Sequence, residues 1–286
     1  MSGSGAQLAW WVWPILLFIA AFAMGVIAVV GGIGGGVLFV PIVGGFFPFH
    51  VDFVRGASLL LALCGALAAA PSALRTGMAS LRLAMPLALA GSVPAIAGAY
   101  IGLALPERVV QGALGVIVLA IAALMWATRN ATPERQAGSD RWAEALGLRG
   151  RYYDSASGRE VEWRARRMPA GIAAFAGIGL IGGMFGLGAG WANVPALNLL
   201  MGVPLKLAVG TSGVAISIIN SSAAWVYLTE GALLPILHVP SVLGVILGAR
   251  VGARWLRRIR PASARTIVIA ILLLAGARSL SKGFGY

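Results

Sequence analysis

The sequence predicts an all-α polytopic membrane protein built from two inverted repeats of about five segments each, with glycine-broken or re-entrant helices at the start of each repeat. Three observations support this prediction: an apolar composition, a repeated glycine-rich phrase and an uneven distribution of basic residues. Of the 286 residues, 59% are hydrophobic and 11% are charged, and the mean hydropathy is +0.89. Soluble domains carry about 25% charged residues. Apolar runs recur at the length that crosses about 30 Å of hydrocarbon.

The glycine-rich phrase occurs twice. Residues 31–41 read Gly-Gly-Ile-Gly-Gly-Gly-Val-Leu-Phe-Val-Pro, and residues 186–195 read Gly-Leu-Gly-Ala-Gly-Trp-Ala-Asn-Val-Pro. Ranges 32–86 and 186–240 align without a gap, with 13 identities in 55 positions. The matches include landmark residues rather than only Ala and Leu: Gly32, Gly34, Gly36, Pro41, Gly56, Ser58, Gly77 and Pro86 pair with Gly186, Gly188, Gly190, Pro195, Gly210, Ser212, Gly231 and Pro240. The pattern indicates an internal duplication.

The apolar segments divide the chain into a first transmembrane repeat at 1–128, a linker at 129–168 and a second repeat at 169–286. The expected segments are 13–30, 36–47, 56–74, 83–104 and 107–127, then 169–185, 190–202, 208–228, 232–253 and 262–280. A straight helix over 14–47 would be about 51 Å long, which exceeds the bilayer thickness. The chain is therefore expected to turn back at Gly31–Gly35, either as a re-entrant hairpin or as two unequal crossings.

The linker is rich in charge. Residues 128–168 contain nine Arg and six Asp or Glu, and turn residues between β-prone flanks at 152–163 predict a small hairpin. The sequence leaves open whether this loop is a solvated linker or a separate binding module.

Basic residues indicate the topology. If each glycine region turns back, 17 of the basic residues share one side and four lie on the other: Arg55, Arg108, Arg278 and Lys282. The positive-inside rule then predicts a cytoplasmic linker, with both termini outside. The net charge of +13 is concentrated in loops, which is typical of cytoplasmic loops, so no nucleic-acid partner is expected. An odd number of segments per half gives inverted repeats, as in many secondary transporters.

The paired glycine phrases, each followed by a Gly-x-Ser (Gly56-Ala57-Ser58 and Gly210-Thr211-Ser212), resemble the sulfite exporter TauE/SafE family, also described as toluene-sulfonate uptake permeases. The resemblance covers about 14–127 and 169–281. It implies transport of small sulfur-containing anions such as sulfite, sulfonate or sulfoacetate across the bacterial inner membrane. Ala189 and Trp191 depart from the glycine-rich pattern, so the second break is expected to be narrower.

The glycine breaks are the first candidate binding site. Consecutive backbone N–H groups of a glycine turn can form a concave anion nest, and the helix that follows favours negative ligands at its N-terminus. This predicts backbone contacts to substrate from six residues: Gly34, Gly35, Gly36, Gly188, Ala189 and Gly190. Close helix packing through small residues is the alternative.

Polar side chains beside the breaks complete the candidate set. Ser58, Thr211 and Ser212 are expected at the starts of their helices, as N-caps or as substrate contacts. Asn193 lies just inside the second short helix. Ser217, Asn220 and Ser221 share one helix face, where they contact substrate or satisfy unwound backbone.

No catalytic or metal-binding constellation is expected. Cys64 is the single cysteine, and His50 and His238 stand alone near segment ends. Arg55 is expected to attract anions at the outer mouth. No enzyme activity, cofactor or metal is predicted.

The sequence therefore predicts a secondary transporter in the cell inner membrane, with the lipid bilayer and a small sulfur-containing anion as partners. An inside-negative membrane potential favours export of an anion. Two alternatives remain: an anion channel with a glycine-backbone filter, and a membrane scaffold that docks a partner through the Arg-rich loop. The sequence does not determine the oligomeric state.

Overall fold

The computed structural model describes residues 11–31, 35–127, 141–154, 159–188, 190–255 and 261–285. The fold is all-α apart from one small hairpin in the linker. The first repeat contains α1 (Val12–Gly31), α2 (Gly35–Phe46), α3 (Val51–Arg75), α4 (Leu81–Ala104) and α5 (Glu107–Ala127). The linker contains α6 (Arg141–Ala145), β1 (Arg149–Asp154) and β2 (Arg159–Arg164). The second repeat contains α7 (Met168–Phe185), α8 (Gly190–Pro195), a π-helical turn (Ala196–Leu200), α9 (Leu205–Thr229), α10 (Pro235–Trp255) and α11 (Pro261–Gly283).

The helices have the length and surface of membrane spans. Six of those in the described ranges, α3, α4, α5, α7, α9 and α10, are long and apolar enough to cross a bilayer. Large apolar side chains such as Val93, Val116 and Leu274 are exposed on the outside of the bundle. Lipid contact accounts for such exposure, because apolar groups gain nothing by leaving hydrocarbon. The prediction of an all-α polytopic membrane protein is confirmed.

The chain turns back at both glycine breaks, as the length argument predicts. In the first repeat, Trp13 at the start of α1 contacts Phe47 and Phe49 beyond the end of α2, with ring centroids 6.3 and 5.9 Å apart. In the second repeat, the side chain of Met201, just after the π-helical turn, packs against Gly171 in the first turn of α7. Each repeat therefore begins with a long helix and a shorter returning segment.

The two halves contact each other in a reciprocal pattern. The first helix of each half packs against the fourth helix of the other, as α1 with α10 and α7 with α4. The third helices, α3 and α9, pack together, and so do the fifth, α5 and α11. Such an exchange of equivalent contacts is the packing expected of a duplicated unit related by a two-fold axis.

Equivalent helices in contact run antiparallel. Gly56, near the start of α3, lies against Ala232, just after the end of α9. Gly210, near the start of α9, lies against Met78, just after the end of α3. In the fifth helices, Gly112 of α5 approaches Gly283 of α11. Gly115, further along α5, approaches Gly276, earlier in α11.

Two of the repeated glycines end helices. Gly77 and Gly231 follow α3 and α9 with φ values of +70° and +69°. Their N–H groups donate to the carbonyls of Leu74 and Leu228, both at 3.2 Å. Only glycine adopts this left-handed conformation without steric cost, which explains why the position is glycine in both copies.

A buried arginine joins the helix ends beside the second break. Arg55 in α3 is fully buried, and its Nη1 donates to the carbonyl of Met184 at 2.7 Å while its Nη2 donates to that of Gly102 at 3.1 Å. These carbonyls belong to the last turns of α7 and α4, where the regular helix hydrogen bonds run out; the carbonyl of Gly102 also accepts from the backbone N–H of Leu105 at 3.3 Å. Arg55 also pairs with Asp52, and its guanidinium lies 5.8 Å from the ring centroid of Tyr227.

This position corrects the expectation that Arg55 attracts anions at the outer mouth. Its guanidinium is enclosed, its charge is compensated by Asp52, and its donors satisfy backbone carbonyls. His50 also departs from its expected isolation, because its ring nitrogens lie 3.2 Å from Asp52 and 3.7 Å from Glu107.

The linker forms a structured unit on the ends of the membrane helices. Its strands pair antiparallel from Arg149↔Arg164 to Asp154↔Arg159. Tyr152 is buried, and Trp163 packs against the same apolar core as Met168 and Met201. The backbone N–H of Arg166 donates to the carbonyl of Met201 at 3.0 Å, which ties the unit to the second repeat.

Replacing Gly210 with alanine should destabilise the protein, because its Cβ would collide with the backbone carbonyl of Met78. Gly213 is a matched control in the same helix, since nothing lies within 4 Å of a Cβ placed there. Gly213→Ala should be neutral or stabilising by about 0.5–1 kcal/mol, as for other helix-interior glycines. Thermal unfolding of the detergent-purified variants measures both effects, and equal melting temperatures would contradict the close-contact explanation.

Replacing Arg55 with methionine should lower the free energy of unfolding by about 3 kcal/mol, because two buried carbonyls lose a charged donor and the Asp52 carboxylate loses its guanidinium partner. Arg108→Met removes the same charge from an exposed side chain at the start of α5 and should cost much less. Thermal unfolding of both variants in one detergent tests this prediction. Similar losses in the two variants would show that the Arg55 contacts contribute little.

Candidate functional site

Side chains from α3 and α9 donate hydrogen bonds to the backbone just before the second glycine break. The hydroxyl of Tyr227 donates to the carbonyls of Gly183 at 3.0 Å and Met184 at 3.4 Å, beside the Arg55 contacts. Beyond the end of α7, Gly186 and Gly188 adopt φ values of +65° and +64°. These angles turn the chain away from the helix axis and favour glycine at both positions.

The two glycine breaks meet inside the bundle. A methyl group placed at Gly36 would lie 3.1 Å from the carbonyl oxygen of Leu187, in the second break. It would lie 2.8 Å from Oγ of Ser58, whose hydroxyl donates to the carbonyl of Gly36 at 3.0 Å. The first turn of α2 is thereby fixed against both α3 and the second break.

Gly188 brings α9 to the same place. A methyl group at Gly188 would lie 3.0 Å from Cβ of Ala62 and 3.2 Å from Nδ2 of Asn220. Asn220 is buried in α9, about two and a half turns beyond the fully buried Thr211. The structure thus groups four of the predicted residues, Gly36, Ser58, Gly188 and Asn220, around the contact of the two breaks.

Asn193 is the least satisfied polar side chain of the second break. It lies in α8, is fully buried, and neither its Oδ1 nor its Nδ2 makes a hydrogen bond within the described part of the chain. The hydroxyl of Ser212 in α9, against which α8 packs, is also buried without such a bond. A buried amide without partners costs free energy unless a ligand or solvent completes its hydrogen bonds.

The two repeats differ in the polarity and hydrogen bonding of the side chains at these two positions. The repeat partner of Asn193 is Phe39, which lies fully buried in the apolar core. The partner of Ser212 is Ser58, whose hydroxyl is engaged by Gly36. The unpaired Asn193 and Ser212 therefore both belong to the second repeat.

The serines of the two Gly-x-Ser motifs are not N-caps. Ser58 and Ser212 each lie about two turns inside α3 and α9, and the N-cap positions are occupied by His50 and Pro204. This expectation was wrong because helices α3 and α9 begin earlier than their apolar patterns indicate. Thr211 accepts a hydrogen bond from the backbone N–H of Ser80 at 3.1 Å, so its hydroxyl supports the start of α4.

The remaining candidate residues bond within their own helix, begin a helix or lie outside the described residues. Ser217 and Ser221 donate to carbonyls of their own helix, at 2.7 and 2.6 Å, so this part of the polar stripe satisfies α9 itself. Gly35 and Gly190 are the first residues of α2 and α8. Gly34 and Ala189 lie outside the described residues.

Sequence reasoning did not identify Tyr227 as part of the site, and it placed Arg55 elsewhere. The charge next to the Gly-Ala-Ser motif was a usable signal for Arg55, but nothing in the sequence connects Tyr227 with α7. In the described ranges, no group of three His, Cys, Asp or Glu residues could hold a metal ion.

The site can donate hydrogen bonds to a ligand, but it does not present an unpaired positive charge to that ligand. Its contributors are an asparagine amide, a serine hydroxyl and the N-terminal turn of α2, while the nearby guanidinium of Arg55 is already paired with Asp52. Helix N-termini and amide N–H groups favour anions. No described feature of the site supplies a nucleophile with an adjacent base.

Comparison with known proteins identifies the family. A family model described as Sulfite exporter TauE/SafE matches residues 17–279. A protein described as "Probable membrane transporter protein YunE" of Bacillus subtilis (strain 168) is 30% identical over 113 residues, which are 40% of this chain and 41% of that protein. The chain thus matches less than half the length of this curated relative, and no solved structure matches it significantly. Because the family model spans nearly the whole of a multi-pass helical chain, the protein belongs to the sulfite exporter TauE/SafE family.

Proposed function

We propose that the protein is a secondary transporter that exports small sulfur-containing anions, such as sulfite, sulfonate or sulfoacetate, across the cell inner membrane. Sulfite is the substrate named in the description of the family, and sulfonates and sulfoacetate are related sulfur oxyanions. The binding site is the contact of the two glycine breaks, and the observation that carries this assignment is the fully buried, unpaired amide of Asn193. Ser212 and the first turn of α2 contribute further contacts.

The chemistry of these groups suits a transported oxyanion. An anion with several oxygens can accept from the Nδ2 of Asn193, from the hydroxyl of Ser212 and from N–H groups at the start of α2. The absence of an uncompensated buried cation in this set favours binding that is weak enough for release. A permanent unpaired arginine would hold the anion more tightly.

Alternating access follows if the repeats are inverted. The antiparallel contacts of α3 with α9 and of α5 with α11 support a two-fold axis in the membrane plane. Such symmetry lets the two repeats exchange conformations around a fixed central site. The distribution of basic residues supports a cytoplasmic linker with both termini outside.

The inside-negative potential supports the export direction. It favours outward movement of an anion by about 2.3 kcal/mol per charge for each 100 mV.

Replacing Asn193 with leucine should abolish transport while the fold is kept, because the amide makes no hydrogen bond with the described residues. Asn198 is the matched control in the adjacent π-helical turn, since its Nδ2 donates to the carbonyl of Val203 at 2.8 Å. Asn198→Leu should lower the melting temperature, and the transport rate per folded molecule should change less. Flux of labelled sulfite and sulfonates into proteoliposomes measures this difference.

Absence of flux for every sulfur anion in the unmodified protein would refute the proposed cargo. Normal flux in Asn193→Leu would refute the proposed site. Initial rates across a concentration series also separate the mechanisms, because a transporter saturates whereas a channel with a glycine filter gives flux that keeps rising.

The proposed topology predicts which positions an impermeant maleimide can reach. In a Cys64→Ala background, Phe284→Cys near the C-terminus should be labelled in intact cells, since Phe284 is exposed and lies outside in this topology. Glu160→Cys on β2 should be labelled only after the membrane is permeabilised. The reverse labelling pattern would overturn the orientation without affecting the fold.

A further inference from the structure

The linker unit, residues 141–154 and 159–167, carries an outward-facing basic surface that transport does not explain. Side chains alternate along a strand. Tyr152 and Trp163 pack on the inner face, so Arg149, Arg151 and Arg164 lie on the outer face, where all three are exposed. Arg149, Gly150, Arg151, Glu162, Trp163 and Arg164 line a groove of about 550 Å³.

Two arginines of this groove oppose each other. Arg149 and Arg164 are direct cross-strand partners, and like charges in that position destabilise a hairpin. Arg151 pairs with Glu162 at 2.8 Å, and Arg164 pairs with Glu144 at the longer distance of 4.0 Å. Arg149 forms no ion pair with any residue that the structure describes. An anion between Arg149 and Arg164 would remove the repulsion.

The groove lies close to the level where the membrane helices end. The backbone of Arg166 is bonded to Met201, and Arg82, in the first turn of α4, reaches the turn at Gly147. Exposed apolar side chains border this region: Leu81 at the start of α4, and Trp142 and Leu146, which are 63% and 45% exposed. Tryptophan beside arginine at a helix end is typical of the membrane–water interface.

We propose that the groove between Arg149 and Arg164 binds the phosphate of an anionic phospholipid headgroup. The guanidinium groups supply paired N–H donors that match phosphate oxygens. Trp142 and Leu146 enter the interfacial layer beside the headgroup. The apolar border favours a lipid over an acidic soluble protein, because a soluble partner would leave these side chains without an apolar environment.

Native mass spectrometry of the full-length protein with phosphatidylglycerol and phosphatidylcholine tests this inference. The Arg149→Gln/Arg164→Gln variant should lose about tenfold in affinity for phosphatidylglycerol, because each arginine near an anionic surface contributes several-fold to binding. Its affinity for phosphatidylcholine should not change. Arg108→Gln/Arg278→Gln removes the same charge from two other exposed arginines and is the matched control.

Three results would overturn the proposal. Equal losses in the two double variants would show a net-charge effect. Undiminished phosphatidylglycerol binding in Arg149→Gln/Arg164→Gln would show that the groove does not bind this lipid and would favour another partner, such as an acidic protein. Thermal stabilisation by millimolar inorganic phosphate that depends on Arg149 and Arg164, without selectivity for phosphatidylglycerol, would identify a soluble ligand instead. Size-exclusion profiles verify that all variants are folded, and the binding readout is independent of transport.

Discussion

The capping of two helix ends by Arg55 is the interaction on which the arrangement of the second break depends. The end of a helix leaves carbonyl groups that need donors from outside the helix, and this need is greatest where the end is buried. Arg55 supplies donors to the ends of both α4 and α7, and Tyr227 supplies another donor to α7. Asp52 compensates the charge. The chain can therefore leave α7 at Gly186 and return as α8 without stranding polar backbone.

Glycines let the two repeats approach closely enough for these contacts to form. Gly56 and Gly210 each admit the loop that follows the third helix of the other repeat, and Gly36 admits the backbone of Leu187. A side chain at these positions would separate the breaks and move Arg55 away from the carbonyls it caps. Close packing through these glycines is therefore compatible with the proposed binding site, because the same glycines bring the two breaks together.

The duplicated halves differ in the polar groups that they bring to the proposed site. Phe39 fills the core where the second repeat has Asn193, and Ser58 bonds the first break while Ser212 has no such partner among the described residues. The first break therefore contributes mainly backbone and support. The second contributes the polar groups that a substrate could engage, which explains why a symmetric scaffold can present an asymmetric site.

The sequence by itself determined the fold class, the duplication, the segment limits within a few residues and the reversal of the chain at both breaks, because hydropathy, repeat identity and length are local quantities. It also placed Gly36, Ser58, Gly188 and Asn220 among the site candidates. Only the tertiary structure decided that Arg55 is a buried cap, that Tyr227 supports α7 and that Thr211 supports α4. Those roles depend on which helix ends lie side by side. The sequence does not show which distant residues will be in contact.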